Sequence, residues 1–88
     1  MLRFPAVVTQ AQALQAAREL KTQVDAQGAA VVMDVSDLAQ FDSSALAVIL
    51  ACRRHAMAAG KSFAVQGLPL KLSQLASLYG VAQLMPSA

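Results

Sequence analysis

Tryptophan is absent, aromatic residues make up only 5% of the chain, and cysteine occurs once, as Cys52. A single cysteine excludes an intrachain disulfide. It follows Ala51 in an apolar run, with nothing beside it that would lower its pKa, and reads as a small hydrophobe rather than a reactive thiol. Histidine also occurs once, as His55, with no second His or Cys at metal-ligand spacing. The glycines at 28, 60, 67 and 80 stand alone as turn punctuation and build no phosphate-binding loop. Five acidic residues supply no obvious carboxylate pair for acid–base chemistry. The chain therefore offers no catalytic residue, no metal site and no cofactor site, and is expected not to be an enzyme.

Charge is scarce as well. Charged residues amount to 14%, and the formal net charge is +2. The one basic cluster, Arg53-Arg54-His55, has no aromatic stacking platform beside it, which argues against nucleic acid as a partner. No apolar run approaches the roughly 18 residues that span a bilayer, so direct membrane insertion is not expected. Leu2 to Val8 is apolar but broken by Arg3 and Pro5, and does not read as a signal peptide. A cytoplasmic setting fits the cysteine usage best.

Hydrophobic residues, by contrast, make up 57% of the 88 residues. A chain of this length makes one small domain, residues 1–88, of marginal burial. So apolar and charge-poor a chain suggests that a partner covers part of its surface.

The hydrophobic pattern predicts alternating strands and helices. Leu2 to Val8 reads as a first strand, and Thr9 as the cap of a helix running to about Gln27. The buried face of that helix is expected at Ala13, Ala17, Leu20 and Val24, with Gly28 closing it in a left-handed conformation. Ala29 to Val35 reads as a central strand, and Ser36 to Gln40 as a connection. A second helix is expected from about Ser44 to Ala59, closed by Gly60. Ser62 to Gln66 suits another strand. A third helix follows Pro69, with Leu72, Leu75, Ala76 and Tyr79 on its buried face and Gly80 at its end. Val81 to Met85 reads as a last short strand or an extended tail. Helices between strands imply crossovers and a largely parallel sheet.

Two features of the second helix stand out. Asp42-Ser43-Ser44 brings a carboxylate and two hydroxyls to its start, where a single capping residue would suffice. The residues from Ala45 to Cys52 are then all apolar, so the first turns are expected to be buried on more than one side, by neighbouring helices or by another protein. A serine nucleophile at 43 or 44 would need His55 as its base. His55 lies about three turns further along the same helix, roughly 16–18 Å away, which excludes a triad.

These residues resemble the signature of STAS domains. Met33-Asp34-Val35-Ser36-Asp37-Leu38 matches a buried strand ending in Asp, and Phe41-Asp42-Ser43-Ser44-Ala45-Leu46-Ala47-Val48-Ile49-Leu50 matches the polar step into a hydrophobic helix. Gly60 followed by Ser62-Phe63-Ala64-Val65-Gln66-Gly67 resembles the next strand of the family. The resemblance spans about Leu2 to Met85 and implies a STAS (anti-sigma-antagonist-like) α/β fold. That fold has a mixed sheet of about four strands, with helices packed mainly on one face. Two branches fit. Val65-Gln66-Gly67, Leu75-Ala76-Ser77-Leu78-Tyr79-Gly80-Val81 and Leu84-Met85-Pro86 look like the MlaB branch, the small subunit of the Mla phospholipid-transport ABC system. This branch implies a partner, the MlaF-like ABC ATPase subunit, in a complex with a membrane permease that maintains outer-membrane lipid asymmetry. The domain would lie in the cytoplasm, held at the inner membrane through that partner. The contact implied is Phe41, Asp42, Ser43, Ser44, Ala45, Leu46, Val48 and Ile49, with Ser43 at the ATPase. In the other branch, the anti-sigma factor antagonists, a kinase phosphorylates the residue matching Ser44. Both hydroxyls are present, so the motif does not choose; the C-terminal third favours the MlaB branch. Two departures are visible. Ser44-Ala45 stands where the family often has glycine, and the family's usual first strand has no counterpart. The strand at Leu2 to Val8 is then expected to be a bare sheet edge, open to pairing with a second copy.

Overall fold

The computed structural model describes all 88 residues and places a parallel three-stranded sheet at its centre. The run Val31-Val32-Met33 forms the middle strand, β3 (Ala30–Asp34), because β-branched residues suit a pleated, buried surface. On one side it pairs with β1 (Leu2–Arg3), with Leu2 opposite Met33. On the other it pairs with β5 (Ser62–Gln66), with Val31 opposite Phe63 and Met33 opposite Val65. Leu2, Val31, Met33, Phe63 and Val65 are buried, while Val32, Asp34, Ala64 and Gln66 are only half-buried. Alternation with period two thus gives the sheet one core face and one wetter face.

The expected first strand is two strands. Pro5 carries no N–H and cannot continue a ladder. The chain pairs with β3 as far as Phe4, whose N–H donates to the carbonyl of Asp34 at 2.8 Å. Beyond Pro5 it starts β2 (Val7–Val8), which pairs in parallel with β4 (Gln40–Phe41), a short strand that begins on the last residue of the expected 36–40 connection. The architecture is α/β, with five short strands in two parallel groups. β1 holds an outer edge of the three-stranded group, only two residues long. At the opposite edge the C-terminal tail runs beside β5: the Val65 N–H donates to the Pro86 carbonyl, and the Ala88 N–H to the Val65 carbonyl. Before that tail the chain makes a short 3-10 turn (Ala82–Leu84) in place of the expected strand or extended segment.

The first helix, α1 (Ala13–Ala26), starts later than Thr9. Residues 9–12 form a separate turn, in which the Gln12 side-chain carbonyl accepts from the Thr9 N–H at 2.9 Å, so Thr9 caps nothing. Ala16, Leu20 and Val24 are buried, with Ala13 and Ala17 packed at the margin. The stripe is therefore centred one residue earlier than expected in its first turns.

Gly28 does not close α1 in a left-handed conformation, since only Gly60, Gly67 and Gly80 have positive φ. Lys61 takes that role from across the fold. Its ammonium donates to the carbonyls of Val24 (2.8 Å), Asp25 (3.2 Å) and Gln27 (2.7 Å), satisfying acceptors that a helix end leaves free. Lys61→Met is expected to lower the unfolding free energy by about 1–2 kcal/mol, because bonds to a charged donor are lost at the negative end of a helix dipole. Urea titration of both proteins measures it.

The second helix, α2 (Ser44–Ala58), packs along α1 and over the sheet. The third, α3 (Leu70–Leu78), buries Leu72 and Ala76, with Leu75 at the margin. Tyr79, expected on the same face, is 58% exposed, because the helix ends before it and Gly80 (φ 73°) turns the chain away. Gly67 has φ 69°, and a Cβ there would lie 2.7 Å from the Ser36 Cβ and 3.0 Å from its Cα. Gly67→Ala thus combines left-handed strain with a backbone clash, and is expected to cost about 2–3 kcal/mol, read as a lower thermal midpoint.

Candidate functional site

Asp42 leaves β4 exposed to solvent and organises the start of α2. One carboxylate oxygen accepts from the Ser44 N–H at 2.8 Å, and the other accepts from the Gln10 N–H at 3.0 Å. The carboxylate therefore caps α2 and ties it to the loop before α1. Of the three polar side chains at the helix start, the carboxylate is the one that caps it. Ser43 occupies the cap position by backbone geometry, yet its hydroxyl makes no capping bond. With Asp42 as the cap, the exposed Ser43 hydroxyl is free to face outward.

The Ser44 and Gln10 N–H groups, in that order, hold the Asp42 carboxyl below its ordinary value of 3.8, and the Ser44 hydroxyl adds less. Asp34 is lowered likewise by the hydroxyl and N–H of Ser36. A carboxyl with a lowered folded pKa stabilises the fold above its unfolded value, and that contribution vanishes as pH falls through the folded value. Asp42→Asn should therefore lower stability at about pH 7 and flatten its decline below about pH 4, as urea unfolding across that range would record.

The apolar residues expected at a partner surface divide sharply. Ala45 and Ile49 are 0% exposed, and Leu46 and Val48 are 3% exposed. All four sit in the domain's own core, so none is available to a partner, and that part of the expected contact is corrected. Their cover is α1 on one side and the sheet below. The outward stripe of α2 is Ser43, Ala47, Ala51 and Arg54, of which Ala51 is half-buried, as is Leu50 beside it. Ala47 and Ala51 stand one and two turns beyond Ser43. Leu46, Val48 and Ile49 fill the core, while Ala47 and Ala51 leave a low ridge outside; alanine size alone did not signal this, since Ala45 and Ala56 on the same helix are buried.

Phe41 is half-buried and borders a groove of about 460 Å³ with Lys71, Gln74, Leu75 and Leu78 of α3. Ser44 is half-buried beside Asp42. Phe41, Asp42, Ser43 and Ser44 thus form one accessible tip. Another cavity, of about 470 Å³, lies among β5, α3 and the C-terminal tail and is lined by none of these four residues.

Elsewhere the polar chemistry is structural. His55 Nε2 lies 2.7 Å from the Asp25 carboxylate and joins α2 to α1. Cys52 is fully buried, and burial pushes its thiol up to about 11. No three His, Cys, Asp or Glu side chains gather where a metal ion could be held. No helix is long and apolar enough to cross a membrane.

A family model described as "Mlab, STAS domain" matches residues 5–86, nearly the whole chain. No curated protein matches the chain.

Proposed function

Since the chain belongs to the STAS domain family, we propose that it is a non-enzymatic subunit that docks onto the ATPase of a Mla-type phospholipid-transport ABC system. The contact is the tip formed by Phe41, Asp42, Ser43 and Ser44, continued along the Ala47 ridge of α2. Docking stabilises or regulates the ATPase, which works with a membrane permease to maintain lipid asymmetry in the outer membrane. The domain then sits on the cytoplasmic side of the inner membrane, through its partner alone.

One observation carries this reading. The Asp42 carboxylate is the side chain that bonds the helix start, backbone carbonyls take the next N–H groups, and the exposed Ser43 hydroxyl makes no hydrogen bond inside the domain. A rigid, solvent-facing donor and acceptor beside a ridge of methyl groups suits a close protein contact, with little entropy lost on binding. The Ser44 phosphorylation switch of the other branch has weaker support. Ser44 is half-buried, and its N–H is already held by the Asp42 carboxylate, so a phosphate there would face a second anion.

Co-expression with the neighbouring ATPase subunit tests the reading. A stoichiometric complex that survives gel filtration is expected. Separate elution of the two chains at micromolar concentration would count against it.

A further inference from the structure

α1 and α2 run side by side in the same direction. Gln10 bonds Asp42 at one end of the pair, and Asp25 meets His55 at the other. Towards the second end a notch of about 230 Å³ opens between the helices, lined by Lys21, Ala51, Arg54, His55 and Ala58. Its floor is low, because Ala51 and Ala58 contribute only methyl groups. Its walls carry two cations without counter-ions: the close contacts between basic and acidic side chains are Arg3–Asp37 and His55–Asp25, and neither Lys21 nor Arg54 takes part. Asp25, one turn beyond Lys21 on α1, is occupied with His55.

The notch continues the proposed docking surface. Ser43, Ala47, Ala51, Arg54 and Ala58 follow one another at steps of three or four residues and share one stripe of α2. From Ser43 to Arg54 the stripe is about 16 Å long, within the reach of a single standard interface. An apolar ridge with a hydroxyl at one end and paired free cations at the other calls for an occupant that is apolar along its middle and anionic at its end.

We infer that the Lys21–Arg54 notch receives an acidic side chain of the ATPase subunit and fixes the register of docking. This rests on the docking reading above. The Arg54 guanidinium offers a planar fork to a carboxylate, Lys21 adds a second donor from the facing helix, and the alanine floor lets a partner helix come close.

Affinity of the purified chain for the purified ATPase subunit, measured by biolayer interferometry at low and high salt, tests it. Lys21→Glu combined with Arg54→Glu should weaken low-salt binding about 10- to 100-fold, leave the circular dichroism spectrum and melting unchanged, and remove most of the salt dependence seen with wild type. If the double variant binds like wild type while Ser43→Arg does not bind, the notch inference is wrong and the docking reading stands. If wild type itself does not bind, the docking reading fails and the notch with it. Sedimentation with phosphatidylglycerol vesicles supplies another arm. Wild-type binding there that the double variant loses would assign the notch to anionic lipid and overturn the inference; no vesicle binding by either supports it.

Discussion

Replacing Ser43 by arginine should abolish the complex with the ATPase subunit and leave the domain itself folded. Ser43 is exposed and makes no capping bond, so nothing inside the domain depends on its side chain. The isolated variant should unfold within about 0.5 kcal/mol of wild type, as surface substitutions generally do. In the complex the result differs. An arginine at a closely packed contact introduces bulk and forces a charge to shed water without a partner, a loss of about 3 kcal/mol or more, or over about 100-fold in affinity. Ser43→Ala removes one hydrogen bond and should cost only about 0.5–1.5 kcal/mol. The graded pair separates a steric and electrostatic contact from a mere loss of fold. An intact complex with Ser43→Arg would remove Ser43 from the interface.

Ile49→Ala is expected to behave in the opposite way. Ile49 is completely buried in the domain's own core, one of six buried residues on α2. Truncation leaves a cavity and should lower the stability of the isolated chain by about 2–5 kcal/mol. A small domain has only about 5–15 kcal/mol in all, so the variant would be close to unfolding at body temperature. Its thermal midpoint should drop by roughly 10 °C or more, measured with no partner present. Had Ile49 served the partner surface, the isolated domain would have been indifferent to its loss. Ala47→Ser, two positions earlier on the outward stripe, should leave stability nearly unchanged and so serves as the control.

The contrast between positions 43 and 49 shows what the sequence could convey. The strand runs at 30–34 and 62–66 and the helices between them were legible because their residues favour one local structure and their hydrophobic period agrees with it. Gly60 and Gly80 were legible as helix ends because a left-handed residue is needed there. Gly28 followed the same local logic and misled. Its helix is closed by Lys61, 34 positions beyond Gln27, and no local pattern encodes a bond formed only after the strands align. The polar tip was readable as a motif, but the division of labour within it was not, since the second tie of Asp42 goes to Gln10, 32 residues away. The apolar run from Ala45 to Cys52 looked apolar all round. Its periodicity was hidden because alanine counts as hydrophobic wherever it falls. Only the packing of α1 decides that Leu46, Val48 and Ile49 point inward and Ala47 outward.

Hydrogen exchange with and without the ATPase subunit reads directly which surface the partner covers. Added protection is expected in peptides spanning Phe41 to Arg54, with the sheet edges at β1 and at the C-terminal tail unchanged. Protection confined to either sheet edge, with the start of α2 exchanging as in the free chain, would contradict the docking reading.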